Sequence, residues 1–380
     1  MQTKRFVTFT ATPAGSPLRS VKNFRRKFFV RTGYRMLGVC CLLATLGVGV
    51  CVGAARAAEA AGASSATPSP HTPLRARLVL AGPPASVTFP LLHMLESGAL
   101  DDVAREVTFT LWRNPDRLRA LALDGKADFM AMPTNVAANL YNRGVPLQLV
   151  NVSVWGILWM VSRNPNVKTL ADFKGQEIAV PFRADMPDIV FSYLIARSGL
   201  DPRRDFTVRY TATPMDAMQL LITRRVDHAL LAEPAVSMAL RRTQTFPLSV
   251  IAPDLYRSVD LQQEWGRLLD RQARIPQAGM AVMGDVRDDA VLVARLEAAY
   301  AQSNQWCLDN AQACGALAAK YIPMLTPEAV ADAVAFLPRH YATATQARAE
   351  LEAFFTLLLA RQPASVGGKL PADAFYGSRP

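Results

Sequence analysis

The sequence predicts an α/β protein of two similar lobes with a cleft between them. Three observations carry that prediction. Strands alternate with helices on short connections, the pattern of a mainly parallel sheet. A unit of helix, Asp, strand, loop and helix occurs twice along the chain. The composition, 51% hydrophobic against 19% charged over 380 residues, supplies a core for each of two domains and excludes a disordered polyelectrolyte.

The elements follow in order. Residues 77–81 (RLVLA) form a short apolar run stopped by Gly82-Pro83-Pro84, a strand ending in a sharp loop. The spacing of Phe89, Leu92 and Leu95, with Leu91 and Met94, predicts a helix over 89–96. Residues 106–112 (EVTFTLW) alternate and read as a second strand. Asn114-Pro115 opens a helix, Asn as cap and Pro at the first helical position, running to Asp124-Gly125. A third strand is expected over 129–132, and Thr134 starts another helix. Residues 150–163 (VNVSVWGILWMVSR) are strand-rich, 177–180 form a strand after Lys174-Gly175-Gln176, and 279–283 (GMAVM) form another. From Asp289 the chain reads as helical almost to Arg361.

The repeat is visible at Asn114-Pro115 and Thr213-Pro214, 99 residues apart in the numbering. Thirteen residues after each Pro comes an Asp, Asp128 and Asp227. A short apolar strand follows each Asp, stops at Pro133 or Pro234, and leads into an Ala-rich helix. The order implies a crossing from lobe one to lobe two near residue 163 and a return near 275. Lobe one is then 77–163 plus 275–362, lobe two is 164–274, and 363–380 is a C-terminal tail. Two crossings make a hinge.

The formal charge of +11 is concentrated at the front. Ten basic residues and no acid precede Ala57, so residues 58–380 carry only +1. The basic stretch is followed by an apolar run over 36–54 and the small-x-small site Ala55-Arg56-Ala57. Together these describe an export signal over 1–57, and hence a periplasmic protein. A retained membrane anchor is the alternative, since the run is near the ~20 residues needed to span. Arg25-Arg26-Lys27-Phe28-Phe29 resembles the twin-arginine export motif, so Sec and twin-arginine routes stay open. Residues 58–76 read as a flexible linker.

Three of the five cysteines lie in the signal, leaving Cys307 and Cys314. On one continuous helix their Cα atoms would stand ~10 Å apart, too far to bridge. A break at Asn310 would allow a helix–turn–helix clamped by a disulfide; two free buried thiols are the alternative.

Five segments together resemble a known family: AGPPAS after the first strand, DGKADFMAMPTNVAANLY, TLADFKGQEIAVP, RRVDHALLAEPA and NAQACGALAAKYIP. They resemble the solute-binding proteins of ABC importers, in the nitrate/taurine/sulfonate and thiamine-precursor group, over about residues 77–360. The resemblance implies the two-lobed periplasmic-binding fold of the second type, with two crossover strands at the hinge. It implies a small-molecule solute and the permease and ATPase components of an importer as partners, with the protein acting as a monomer. A sensor of the same fold feeding a signalling partner is the alternative, and the gene neighbourhood would separate the two.

In open α/β sheets, ligands bind beyond the carboxyl ends of strands, near helix N-termini. That rule selects Pro84 and Ser86, Trp112, Thr134 and Asn135, Ser153 and Trp155, Phe182, Arg183 and Asp185, and Glu233 as candidate ligand-binding residues. Arg183 would pair with an anion or with Asp185 or Asp188. Glu233 would accept from a cationic ligand or favour its own helix end. The aromatic residues would stack on a flat ring or fill the core. The mixture favours a small heterocyclic or zwitterionic solute over nitrate. His71, His93, His228 and His340 stand in no metal-ligand spacing, and no nucleophile motif appears, so neither catalysis, metal nor cofactor is expected. The charge of +1 without a basic stripe speaks against nucleic acid.

Overall fold

The computed structural model describes residues 74–252 and 254–377. The export signal and nearly all of the 58–76 linker lie outside the described residues. Among the described residues, no helix is long and apolar enough to cross a membrane.

The chain begins with β1 (Leu78–Gly82), α1 (Phe89–Glu96), β2 (Val107–Leu111), α2 (Pro115–Leu123), β3 (Phe129–Pro133), α3 (Thr134–Asn142), β4 (Leu147–Leu149) and β5 (Asn151–Val152). It then forms β6 (Leu158–Ser162), β7 (Glu177–Pro181), α4 (Met186–Arg197), β8 (Thr207–Thr211), α5 (Pro214–Ile222), β9 (His228–Ala232), α6 (Ala235–Thr243), α7 (Leu248–Ile251), β10 (Tyr256–Asp260) and α8 (Leu261–Leu269). The last part comprises β11 (Ala278–Met283), α9 (Ala290–Asp309), α10 (Ala311–Tyr321), α11 (Pro327–Ala335), β12 (Ala342–Thr343) and α12 (Ala344–Arg361).

Two five-stranded sheets result, and they have the same plan. Sheet one runs β2-β1-β3-β11-β4, and sheet two, read in the matching direction, runs β8-β7-β9-β6-β10. In each, three strands are parallel, and the fourth and fifth are antiparallel to their neighbours. The twofold unit read from sequence is therefore the α2-β3-α3 of one lobe and the α5-β9-α6 of the other. Their helix starts are built alike. Asn114 and Thr213 each accept the backbone N–H three residues on, from Arg117 at 2.9 Å and Asp216 at 3.2 Å, with Pro at the next position in both.

The crossing from sheet one to sheet two occurs over 153–157, earlier than the residue 163 expected. The strand-rich run 150–163 is two strands, β5 and β6, and β6 belongs to the second sheet beside β9. Both strands are buried, so the run stays apolar across the boundary. Its punctuation is Gly156, at φ 127°, where a Cβ would lie 2.0 Å from the Gln262 side chain. The return crossing over 275–277 pairs with the first. Gln277 N–H donates to Val154 O at 3.0 Å, and Ile275 N–H to Trp155 O at 2.8 Å. The hinge is thus a short antiparallel ribbon. Gly279 lets it approach closely, since a Cβ there would meet Asn151 O at 1.8 Å.

The C-terminal part differs from one long helix. Asn310 separates α9 from α10, and a disulfide joins Cys307 to Cys314 with Cα atoms 5.1 Å apart. Residues 363–377 are no loose tail: two short 3-10 turns (Pro363–Val366 and Asp373–Tyr376) pack Val366, Phe375 and Tyr376 into the core beside α3, β4 and α12. Apolar residues at these positions pin the segment more tightly than its Gly and Pro content suggests.

Candidate ligand-binding cleft

The carboxyl ends of the strands in both sheets face one cavity of about 360 Å³ between the lobes. Lobe one contributes the 83–87 loop, Trp112 and the start of α2, and Pro133 with α3. Lobe two contributes Phe182, the start of α4, the start of α5, and the 232–235 turn. The hinge contributes Val154, Ile157 and Gln277, and the α10–α11 connection contributes Met324.

Of the residues expected from sequence, Pro84, Trp112, Phe182, Asp185 and Glu233 line this cavity. Trp112 is buried and fixed by its indole N–H, which donates to Ala131 O at 3.2 Å. Phe182 and Ala184 hold left-handed conformations, at φ 58° and 61°. Such positions cost of order 1–3 kcal/mol each and persist only when the surroundings hold them. Here Asp185 N–H donates to Phe182 O at 3.0 Å, and Ala184 N–H donates to Asp188 Oδ2 at 2.7 Å.

The same loop touches the opposite lobe. Asp185 Oδ1 accepts from Asn135 Nδ2 at 3.5 Å, and Asp185 Oδ2 stands 3.7 Å from Arg119 Nη2. Gln362 Nε2 donates to Ala184 O at 3.4 Å. Three lobe-one groups therefore meet residues 184–185 across the cleft.

Glu233 is buried and fully engaged. Oε1 accepts from Arg257 Nη2 at 2.7 Å and Nε at 3.2 Å, and Oε2 accepts from Ser237 N–H at 3.1 Å and Oγ at 2.8 Å. Arg257 in turn stacks over the Phe336 ring at 3.7 Å. The Glu233 carboxylate oxygens are thereby occupied by protein donors, which leaves them poorly placed to recognise a ligand.

The remaining sequence candidates lie apart from the cavity lining. Arg183 is exposed and sits over the Tyr210 ring, 5.2 Å from its centroid. Ser153 shares a hydrogen bond with Tyr300 at 2.9 Å, and Thr134 donates to Pro276 O at 2.6 Å, so both serve the hinge. Trp155 packs at the hinge between Arg274 and His340. Asn135 forms the interlobe contact described above. Ser86 is buried between Ala85 and Val87, with no partner for its hydroxyl among the described residues.

Behind the hinge lies a buried polar network. Glu297 accepts from Asn151 Nδ2 at 2.7 Å and Tyr341 Oη at 2.6 Å. Burial pushes the Glu297 carboxyl above the usual range, partly offset by those two hydrogen bonds. His93, an isolated histidine of the sequence, stacks on Trp306 and hydrogen-bonds Ser303, and burial lowers its pKa. Among the described residues no group of three or more His, Cys, Asp or Glu could hold a metal.

Sequence reasoning missed the cavity's main character, which is apolar. Met132, Val136, Met215 and Met324 line it, with Pro at the start of α2 and α5. The prolines carried a signal, since each follows a strand–loop junction. Met324 carried none, because the hairpin that brings it there is set by tertiary packing.

The fold is shared with solved structures. An ABC transporter protein from Parabacteroides distasonis aligns at 22% identity and TM-score 0.64, covering 80% of this chain and all of the other (100%). The periplasmic nitrate-binding protein of Synechocystis PCC 6803 aligns at 14% identity and TM-score 0.61, covering 77% and 84%. The periplasmic aliphatic sulphonate binding protein of Escherichia coli aligns at 17% identity and TM-score 0.56, covering 78% and 93%. No protein-family model matches the sequence, and no curated protein does. The two-lobed periplasmic-binding fold expected from the resemblance is the fold observed.

Proposed function

We propose that this chain captures a small solute between its lobes and delivers it to the permease of an ABC importer in the periplasm. The observation that carries the reading is the interlobe cavity, walled by both sheets, with Asp185 bound to Asn135 and Arg119 of the other lobe. A solute that contacts both walls at once favours the closed arrangement, and the closed arrangement is what a permease could distinguish from the open one. Pro84, Trp112, Phe182 and Asp185 are the lining residues placed against the solute. The likeness to periplasmic binding components supports this reading, and so does the basic, apolar and A-x-A order of the first residues, which supports export. The protein acts as a monomer, with the ATPase component reached only through the permease.

The test is mass spectrometry of small molecules released when protein purified without unfolding is denatured. One compound near 1:1 stoichiometry is the expected result. Turnover of that compound by the protein would favour an enzyme instead.

A further inference from the structure

We propose that the solute taken by this cleft is neutral and predominantly apolar, not an oxyanion; the inference rests on the solute-capture reading above. Helix N-termini offer an anion free N–H groups and positive partial charge. At each of the five helix starts that line the cavity, one N–H already has a protein acceptor. At α2, Asn114 accepts from Arg117 N–H at 2.9 Å, and Pro115 supplies no donor. At α3, Thr134 N–H is taken by Gln277 O at 3.0 Å. At α4, Asp185 accepts from Met186 N–H at 2.8 Å, followed by Pro187. At α5, Thr213 accepts from Asp216 N–H at 3.2 Å, after which Pro214 lacks a donor. At α6, Glu233 accepts from Ser237 N–H at 3.1 Å.

Charge points the same way. Three carboxylates line the cavity, Asp185, Asp216 and Glu233; Glu233 is paired with Arg257 and Asp185 stands near Arg119, and the one cation among the described lining residues is the exposed Arg113. An oxyanion would compete with those protein oxygens for the helix ends and would meet no buried cation among the described lining residues. The rest of the wall is hydrocarbon and thioether, from Leu118, Met132, Val136, Val154, Met215 and Met324. Unbranched Met side chains adapt to the shape of an apolar guest. One polar handle remains. Gln277 Oε1 accepts from Ile157 N–H at 3.1 Å, which leaves its amide NH2 without a protein partner among the described residues. That group would donate to a hydroxyl or carbonyl oxygen. The volume of about 360 Å³ suits a small organic molecule, since ligand pockets span roughly 300–1,000 Å³.

The experiment is calorimetric titration of the full chain, freed of solute by unfolding, dialysis and refolding, with 1-hexanol and hexane-1-sulfonate, which share a tail. The expected result is at least tenfold tighter binding of the alcohol, lost in Met324→Trp and in Val136→Trp. Melting curves of both variants establish that they fold. Sulfonate binding equal to or tighter than the alcohol, and weakened by Arg113→Ala, would overturn the inference while leaving solute capture intact. Alcohol binding unchanged in both Trp variants would overturn it by placing the site elsewhere. Binding of neither probe would also overturn it. Capture itself falls only if, in addition, no small molecule is released from natively purified protein.

Discussion

The two walls of the cleft share one plan but are held by different chemistry. In lobe one, half-buried Asp128 accepts from Val79 N–H at 2.7 Å, tying β3 to β1. At the equivalent place in lobe two, Asp227 is exposed and stands 3.7 Å from Arg163. The strand–helix turn of lobe one is held by a neutral bond, Thr134 to Pro276 O. The turn of lobe two is held by a buried ion pair, Glu233 with Arg257. A repeated topology therefore fixes where loops arrive, while distant partners in the chain decide what each loop can do. Pro276 and Arg257 are such partners, far from the turns that they hold.

Breaking the lobe-two pair has the largest expected effect. Arg257→Ala leaves a fully buried carboxylate without its cation, held only by the Ser237 N–H and hydroxyl, and should cost about 3–5 kcal/mol in denaturant unfolding. Thr134→Val, in the neutral counterpart, should cost only about 1–3 kcal/mol. Equal losses would erase the distinction between the walls.

The paired aspartates sharpen it further. Burial raises the Asp128 carboxyl above its ordinary 3.8, against the opposing hydrogen bond from Val79. In the window from 3.8 up to the raised folded value, the folded state binds more protons than the unfolded state. Stability contributed by this group therefore falls as pH rises through that window. Unfolding measured across acidic pH should show that fall, and Asp128→Asn should remove it. On the other lobe, Asp227→Asn should change stability at neutral pH by no more than about 1 kcal/mol, as for an exposed ion pair.

The smallest effect belongs to Arg183→Ala. The side chain is exposed and lies over Tyr210, outside the cavity lining, so stability should move by about 0.5 kcal/mol or less and solute occupancy should not change. A loss of bound solute would return Arg183 to the site.

Much of the fold was legible because its signals are local. Asn114 and Thr213 mark helix starts by short-range capping, and Asn310 marks the break that lets Cys307 reach Cys314. The loop positions of the cleft were legible for the same reason, and Pro84, Trp112, Phe182, Asp185 and Glu233 all reach it. Side-chain direction was not. Glu233 is taken by an arginine 24 residues on, and Trp155 is drawn into the hinge by Arg274 and His340. The lobe boundary was misplaced because two buried strands in different sheets, β5 and β6, are joined by the equally buried residues 153–157, where Gly156 is the one break. The buried 375–376 pair was missed because two aromatic residues after a Gly-rich stretch show no periodicity.

Capture depends on closure of the two lobes around a solute. Small-angle X-ray scattering of the protein as purified, compared with the same protein stripped of solute by unfolding, dialysis and refolding, tests it most directly. The stripped form should have the larger radius of gyration, and adding back the released compound should reverse the difference. An unchanged radius, with the compound shown to be bound in one sample and absent in the other, would contradict it.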